Sequence, residues 1–243
     1  VFRFPQERRN ALGTDRAVTI YLHAGTHKTG SKSFQSLLAE NRDDLARVGY
    51  DVFHGAHRNP RNHVELHLAS LRIDRDSLAK HNWPDMVLGP EYEERVRQSV
   101  RSFLHASTLP HQVFSNEDLA FLRHADEFAR LLDLFGRPPE DFVVIIALRN
   151  PRDFLRSFRG QILKKPGRVP SADPASALYV EPDSWLLDYD ALVGKFRDAF
   201  GHVRIVNYDD AVARDGSILP ELLRAIDVDP VSITRTDFRL NVT

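Results

Sequence analysis

Residues 17–33 read Ala17-Val18-Thr19-Ile20-Tyr21-Leu22-His23-Ala24-Gly25-Thr26-His27-Lys28-Thr29-Gly30-Ser31-Lys32-Ser33, and this stretch decides the fold. Residues 17–24 form a short β-branched and aromatic run that stops at Gly25, as a buried strand does. Beyond the loop, Phe34, Leu37, Leu38, Leu45 and Val48 fall on one helical face, with Gly49 as the stop. Strand, glycine-bearing loop and helix is the arrangement that gathers backbone N–H groups and a helix N-terminus around a phosphate. Gly25 and Gly30 permit a tight turn and close backbone approach. Thr29, Ser31 and Ser33 offer hydroxyl groups, and Lys28 sits within the curve as a mobile cation.

Outward from this stretch, short apolar runs at 50–53, 112–115, 142–148 and 203–207 predict further strands. Helices are predicted around 64–78, 91–106, 126–135, 185–200 and 218–226, with another opened by Pro151, which suits a first helical position. Residues 164–184 contain Pro166, Pro170, Pro174 and Pro182 without apolar periodicity, and predict a loop or lid. Strands that alternate with helices, several of them wholly apolar, predict an α/β domain. Its form is a three-layer, P-loop-like fold with a central, mainly parallel sheet of about five strands flanked by helices. One domain is expected over 1–243, with 1–15 as an N-terminal extension. In such sheets ligands collect beyond the carboxyl ends of the strands. Three strands end there in polar clusters, at 23–33, 115–118 and 149–153.

Composition narrows the function. The chain has 243 residues, 42% hydrophobic and 28% charged, with 33 Lys and Arg against 34 Asp and Glu. That balance argues against a nucleic-acid binder, whose footprint is a net basic domain. An anion site must therefore be a local concentration of positive groups. The absence of cysteine excludes disulfides, thiolate metal sites and cysteine nucleophiles. No apolar run approaches the roughly 20 residues that span a bilayer, and residues 1–15 lack the apolar core of a signal peptide. A cytoplasmic location is the expectation.

The nucleotide-triphosphatase pattern G-x-x-x-x-G-K-[ST] fails here by one position, because Ser31 follows Gly30 and the lysine arrives at Lys32. One residue on a helix turns a side chain by about 100 degrees, so Lys32 is misplaced for that motif. A P-loop small-molecule kinase is thus the second reading, and a non-catalytic nucleotide-binding protein the third.

The run from His23 to Gln35, H-x-G-x-x-K-T-G-[ST]-x-S-x-Q, resembles the 5′-phosphosulfate loop of sulfotransferases that use 3′-phosphoadenosine-5′-phosphosulfate (PAPS). It is most similar to the bacterial and carbohydrate-type branch. The resemblance implies that Lys28 meets the bridging and leaving oxygens. It also implies that His27, Thr29, Gly30, Ser31, Lys32 and Ser33 build the cradle around them. Leu148-Arg149-Asn150-Pro151, with Ser157 eight residues after Arg149, resembles the family's 3′-phosphate motif. An arginine fork and a hydroxyl are a sound receptor for a dianionic phosphate. Ser184-Trp185 with Tyr189, and 200–208, are similar to the carboxyl-terminal half of bacterial members, and 239–243 to a segment that closes over the nucleotide.

Sulfuryl transfer also requires a base at the acceptor. Glu117, after the third predicted strand, faces the same crevice and is the first candidate. His63, with His67 four residues on, is the alternative. The two imidazoles share a helical face, but no third ligand accompanies them, and no metal is expected. The resemblance implies PAPS as donor, 3′,5′-adenosine bisphosphate as product, and a small-molecule or glycan acceptor. Arg58, Arg61, Arg72, Trp83 and the proline-rich loop are candidates for lining the acceptor pocket.

Overall fold

The computed structural model describes residues 18–56 and 60–235. The N-terminal extension, His57, Arg58 and the segment 239–243 lie outside the described residues. In chain order the elements are β1 (Thr19–His23), α1 (Ser31–Glu40), α2 (Arg42–Arg47), β2 (Tyr50–Val52), α3 (Val64–Ser70) and α4 (Leu78–Asn82). There follow α5 (Pro90–Ala106), β3 (His111–Ser115), α6 (Ala125–Phe135), β4 (Phe142–Leu148) and α7 (Pro151–Leu163). The described chain then adds α8 (Tyr189–Phe200), β5 (Val203–Asn207), α9 (Tyr208–Asp215) and α10 (Leu219–Ala225).

The five strands form one sheet, ordered β2-β3-β1-β4-β5, and every pairing is parallel. Strand β1 lies at the centre because it is apolar on both faces. Ile20 and Leu22 enter one core with α3, α5, α6 and α8, while Tyr21 enters the other with α1, α2 and α10. Strand β4 divides in the same way, Val144 and Ile146 against Val143 and Ile145. Such period-two sorting of an apolar run is what a covered parallel sheet demands. The chain runs from β1 to one side of the sheet and later crosses to the other at β4. The carboxyl end of β1 is therefore the point where the strand order reverses, the usual seat of a ligand.

A third core lies under α7. Phe154, Phe158 and Ile162, spaced four apart, bury one face of that helix against Leu78, Phe121, Ala177, Leu178 and Val180. Residues 164–184 contain no helix or strand. Their buried side chains dock on α7, and Ser176 donates a hydrogen bond to Asp76 at 2.9 Å. No helix of the described residues is long and apolar enough to cross a membrane.

Several helical runs are broken where sequence periodicity is continuous. The run 34–48 splits at Asn41, whose amide donates to the carbonyls of Leu37 and Arg235. The run 64–78 ends at Ser70, and a new helix begins only where the Ser77 hydroxyl accepts from the Lys80 amide. Asp188 caps α8 in the same manner, which leaves Trp185–Leu187 as a separate 3-10 turn. A polar side chain that satisfies a free backbone group at each break outcompetes one more helical turn.

Candidate active site

The loop after β1 stays attached to the sheet. The Thr26 amide donates to the Ala147 carbonyl at 2.8 Å, and the Ala147 amide donates back to Gly25. Gly25 has φ +100°, and a Cβ there would meet the Glu117 carbonyl oxygen at 2.7 Å. A side chain is thus excluded on two grounds, and the loops after β1 and β3 touch through bare backbone. Lys28 has a left-handed backbone, φ 64°. For a lysine this costs on the order of 1–2 kcal/mol, which the surrounding contacts must offset. Gly30, φ +82°, precedes α1. That helix has no side-chain cap and no acidic residue in its first turn. Its positive dipole end, which carries Ser31, Lys32 and Ser33, favours a negative charge there.

These features open on a cleft of about 1080 Å³. Lys28, Lys32, Arg149, Arg156, Lys164, Lys165 and Arg168 line it, against only Glu117 and Asp153 as acids. In a chain of formal net charge −1 this is a strong local bias, and it fits an anionic ligand. The Lys28 ammonium bears its mark. Burial, then the charges of Lys164, Lys32 and Arg149, hold its pKa below the ordinary lysine value.

Arg149 leaves β4 at its carboxyl edge. Its Nη1 donates to the Lys28 carbonyl at 3.2 Å, and its guanidinium lies 4.8 Å from the centre of the Tyr208 ring. Its Nε is buried without a partner. Asn150 caps α7 by accepting from the Arg152 amide, and Pro151 opens the helix. Asp153, Ser157 and Gln161, four apart, then face the cleft from a row of α7 about 100 degrees round from its buried phenylalanines.

Glu117 is buried at the cleft wall, 6% exposed. Its Oε2 accepts from the Gln35 amide at 2.7 Å and from Asn62 at 3.4 Å. Two neutral donors fix the carboxylate without neutralising it. His27 also lines the cleft, stacked on Phe121, with Nε2 3.2 Å from the Asp118 carboxylate. Burial pushes the Asp118 carboxyl up, but His27, His67 and the Asn116 amide outweigh it and hold it below the usual carboxylate value.

The structure thus brings His27, Lys28, Gly30, Ser31, Lys32, Ser33, Glu117, Arg149 and Ser157 to one cleft. Thr29 is not on its wall. That side chain is fully buried, and its hydroxyl donates to the Thr26 carbonyl at 2.6 Å, so it shapes the loop instead. His63 does not line the cleft either. It is 1% exposed between Phe53 and Phe114, its Nδ1 accepts from the Ser115 amide, and burial lowers its pKa to about 3. Of the acceptor-pocket candidates, Trp83 lines the cleft, whereas Arg61 pairs with Glu40 and Arg72 forks onto Asp126. Sequence reading missed Tyr208, which lies against Arg149, and also Arg156 and residues 216–219, all of which line the cleft. For Arg156 the available signal was its place directly before Ser157 on the same helix.

No protein-family model matches the chain, and no curated protein matches it. Among solved structures, it is similar to a sulfotransferase from Alicyclobacillus acidocaldarius. The two share 16% identity and a TM-score of 0.57, over 93% of this chain and 87% of that one. The sulfotransferase domain of the curacin biosynthetic pathway aligns over 88% of this chain and 76% of its own, with 15% identity and a TM-score of 0.46. The chain has the three-layer, P-loop-like α/β fold of the Alicyclobacillus sulfotransferase.

Proposed function

We propose that this protein is a sulfotransferase that moves a sulfuryl group from PAPS to a hydroxyl or amine of an acceptor, a carbohydrate or glycolipid. The observation that supports this reading best is the junction of two phosphate motifs, Lys28 and Arg149, on one cationic cleft. The residues fit a donor with two separated phosphate groups. The uncapped start of α1 and Lys28 suit the 5′ end, and the unpartnered Arg149 Nε with Ser157 suits the 3′-phosphate.

PAPS supplies the activated sulfuryl group and a phosphate leaving group. The chain's task is alignment, charge neutralisation and proton removal. Lys28 stabilises the negative charge that grows on the departing phosphate oxygen. Glu117 takes the acceptor proton as the new oxygen–sulfur bond forms and the sulfur–phosphate-oxygen bond breaks in line. A positioned base of this kind contributes typically about 10²–10⁴-fold.

Isothermal titration tests the reading. 3′,5′-Adenosine bisphosphate is expected to bind at least tenfold more tightly than ADP. Equal affinities would return the cleft to the kinase reading, since an ATP site has no use for a 3′-phosphate receptor.

A further inference from the structure

The cleft runs along α7 and has a second cationic end that the donor does not require. Lys28, Lys32, Arg149 and Ser157 serve the two phosphate groups, and Lys164 lies near enough to Lys28 for its charge to lower the Lys28 pKa. From Ser157 to Lys164 the helix advances seven residues, about 10 Å. Past that point Lys165 and Arg168 meet Asn82 of α4, and Leu78 and the C-cap residue Trp83 line the same part of the cleft.

These cations are held but not neutralised. Lys165 Nζ donates to the Asn82 side-chain oxygen at 2.6 Å. Arg168 Nη2 donates to the same oxygen at 3.2 Å and to the His81 carbonyl at 3.0 Å. Two positive groups thus converge on one neutral acceptor. Among the described residues neither of the two pairs with a carboxylate, although Arg156, on α7, pairs with Asp153 at 2.7 Å. The negative end of α7 has Lys164 at its C-cap and does not account for the two cations beyond it. A cluster of like charges fixed in a cleft beside an indole gains most from a ligand that is anionic and has a flat apolar face.

We propose that the acceptor is an anionic, hydroxyl-bearing molecule. Its carboxylate or sulfate would sit on Lys165 and Arg168, and its ring face on Trp83. This deepens the sulfotransferase reading and rests on it.

The test measures transfer of labelled sulfate from PAPS to matched acceptors: an oligouronide against its carboxyl-reduced neutral counterpart, and 4-hydroxybenzoate against 4-hydroxybenzyl alcohol. At least one acidic member should show a kcat/KM tenfold or more above its neutral partner, and that margin should shrink between 50 and 300 mM salt. The double variant Lys165→Ala, Arg168→Ala should raise KM for the acidic acceptor tenfold or more. Its affinity for 3′,5′-adenosine bisphosphate, which also reports folding, should stay within twofold. Equal or better use of the neutral members overturns the proposal, as does transfer to none of the four by a protein that binds the bisphosphate. A double variant that loses bisphosphate affinity in parallel would assign the two cations to the donor and overturn the proposal. Failure of the wild-type protein to bind the bisphosphate would instead overturn the sulfotransferase reading itself.

Discussion

The Arg149 guanidinium donates from Nη1 to the main-chain carbonyl of Lys28 at 3.2 Å, and so joins two motifs 121 positions apart in the chain. One side chain therefore has two tasks, to offer a fork to a phosphate and to brace the loop that holds the lysine. Arg149→Lys keeps the charge but loses the fork. Its affinity for 3′,5′-adenosine bisphosphate should fall about tenfold or more, at roughly 1.5–3 kcal/mol for a hydrogen bond to a charged group. AMP, which lacks the 3′-phosphate, should bind almost as before. Titration of both nucleotides checks this, and an equal loss for both would show that bracing the loop is the larger task.

The bare-backbone contact between the loops after β1 and β3 makes a stability prediction. Gly25→Ala must accept both a left-handed backbone and a Cβ 2.7 Å from the Glu117 carbonyl oxygen. Gly201→Ala meets the backbone penalty alone, since φ is +73° with nothing within 4 Å. The first should cost about 1–3 kcal/mol more than the second, the usual range for overpacking. In a chain of this length that is a further drop in Tm of at least about 2 °C. Thermal unfolding of the two variants side by side gives the difference.

How far the sequence revealed this site depends on whether chemistry or packing places each residue. Lys28, Glu117, Arg149 and Ser157 were legible because each follows the carboxyl end of an apolar run, where parallel sheets place their ligands. His63 and Thr29 have the same polar character, but tertiary packing turns them inward. Phe53 and Phe114 enclose the histidine, and the Thr26 carbonyl takes the threonine hydroxyl. No local pattern encodes such a choice. The breaks at Asn41 and Ser77 were hidden for a related reason: apolar spacing runs across both, and only the hydrogen bonds of those side chains reveal the interruption.

Buried histidines predict the acid limit of the fold. Burial lowers His23 to about 4, His63 to about 3 and His67 to about 4, from an ordinary value of 6.5. Below pH 6.5 the unfolded chain takes up protons that the folded chain refuses. Stability is therefore full above 6.5 and falls as the pH drops toward 4, each histidine steepening the fall by about 1.4 kcal/mol per pH unit. His67 has both ring nitrogens buried and unpartnered. His67→Leu should leave stability at pH 8 unchanged or raised, and should lessen the loss between pH 7 and pH 5. Urea unfolding at the three pH values decides it, and an unchanged slope would remove His67 from the account.

Lys28 predicts a pH dependence at the opposite end. Burial and its cationic neighbours lower its pKa in the free protein. A bound phosphate favours the charged ammonium and raises the pKa again. Between those two values binding takes up a proton, so affinity for 3′,5′-adenosine bisphosphate should weaken as the pH rises, and should begin to do so below the ordinary lysine range. Lys28→Met should bind more weakly and lose this dependence. Titrations in buffers of different ionisation enthalpy would register the proton directly, and equal heats across buffers throughout that window would contradict the assignment.

Glu117→Gln separates the base from the frame that holds it. The carboxylate accepts from Gln35 and Asn62 through Oε2. A glutamine keeps an acceptor oxygen for those donors but has no site for the acceptor's proton. The wall of the cleft should therefore survive, with bisphosphate affinity within about threefold and kcat reduced by about 10²–10⁴, the range for loss of a positioned base. Gln35→Leu supplies the complementary case. It leaves the base in place but removes the shorter of its two hydrogen bonds, which should lower kcat less than Glu117→Gln does. Unchanged turnover in Glu117→Gln would pass the role of base to His27, whose imidazole shares the cleft and is held by Asp118.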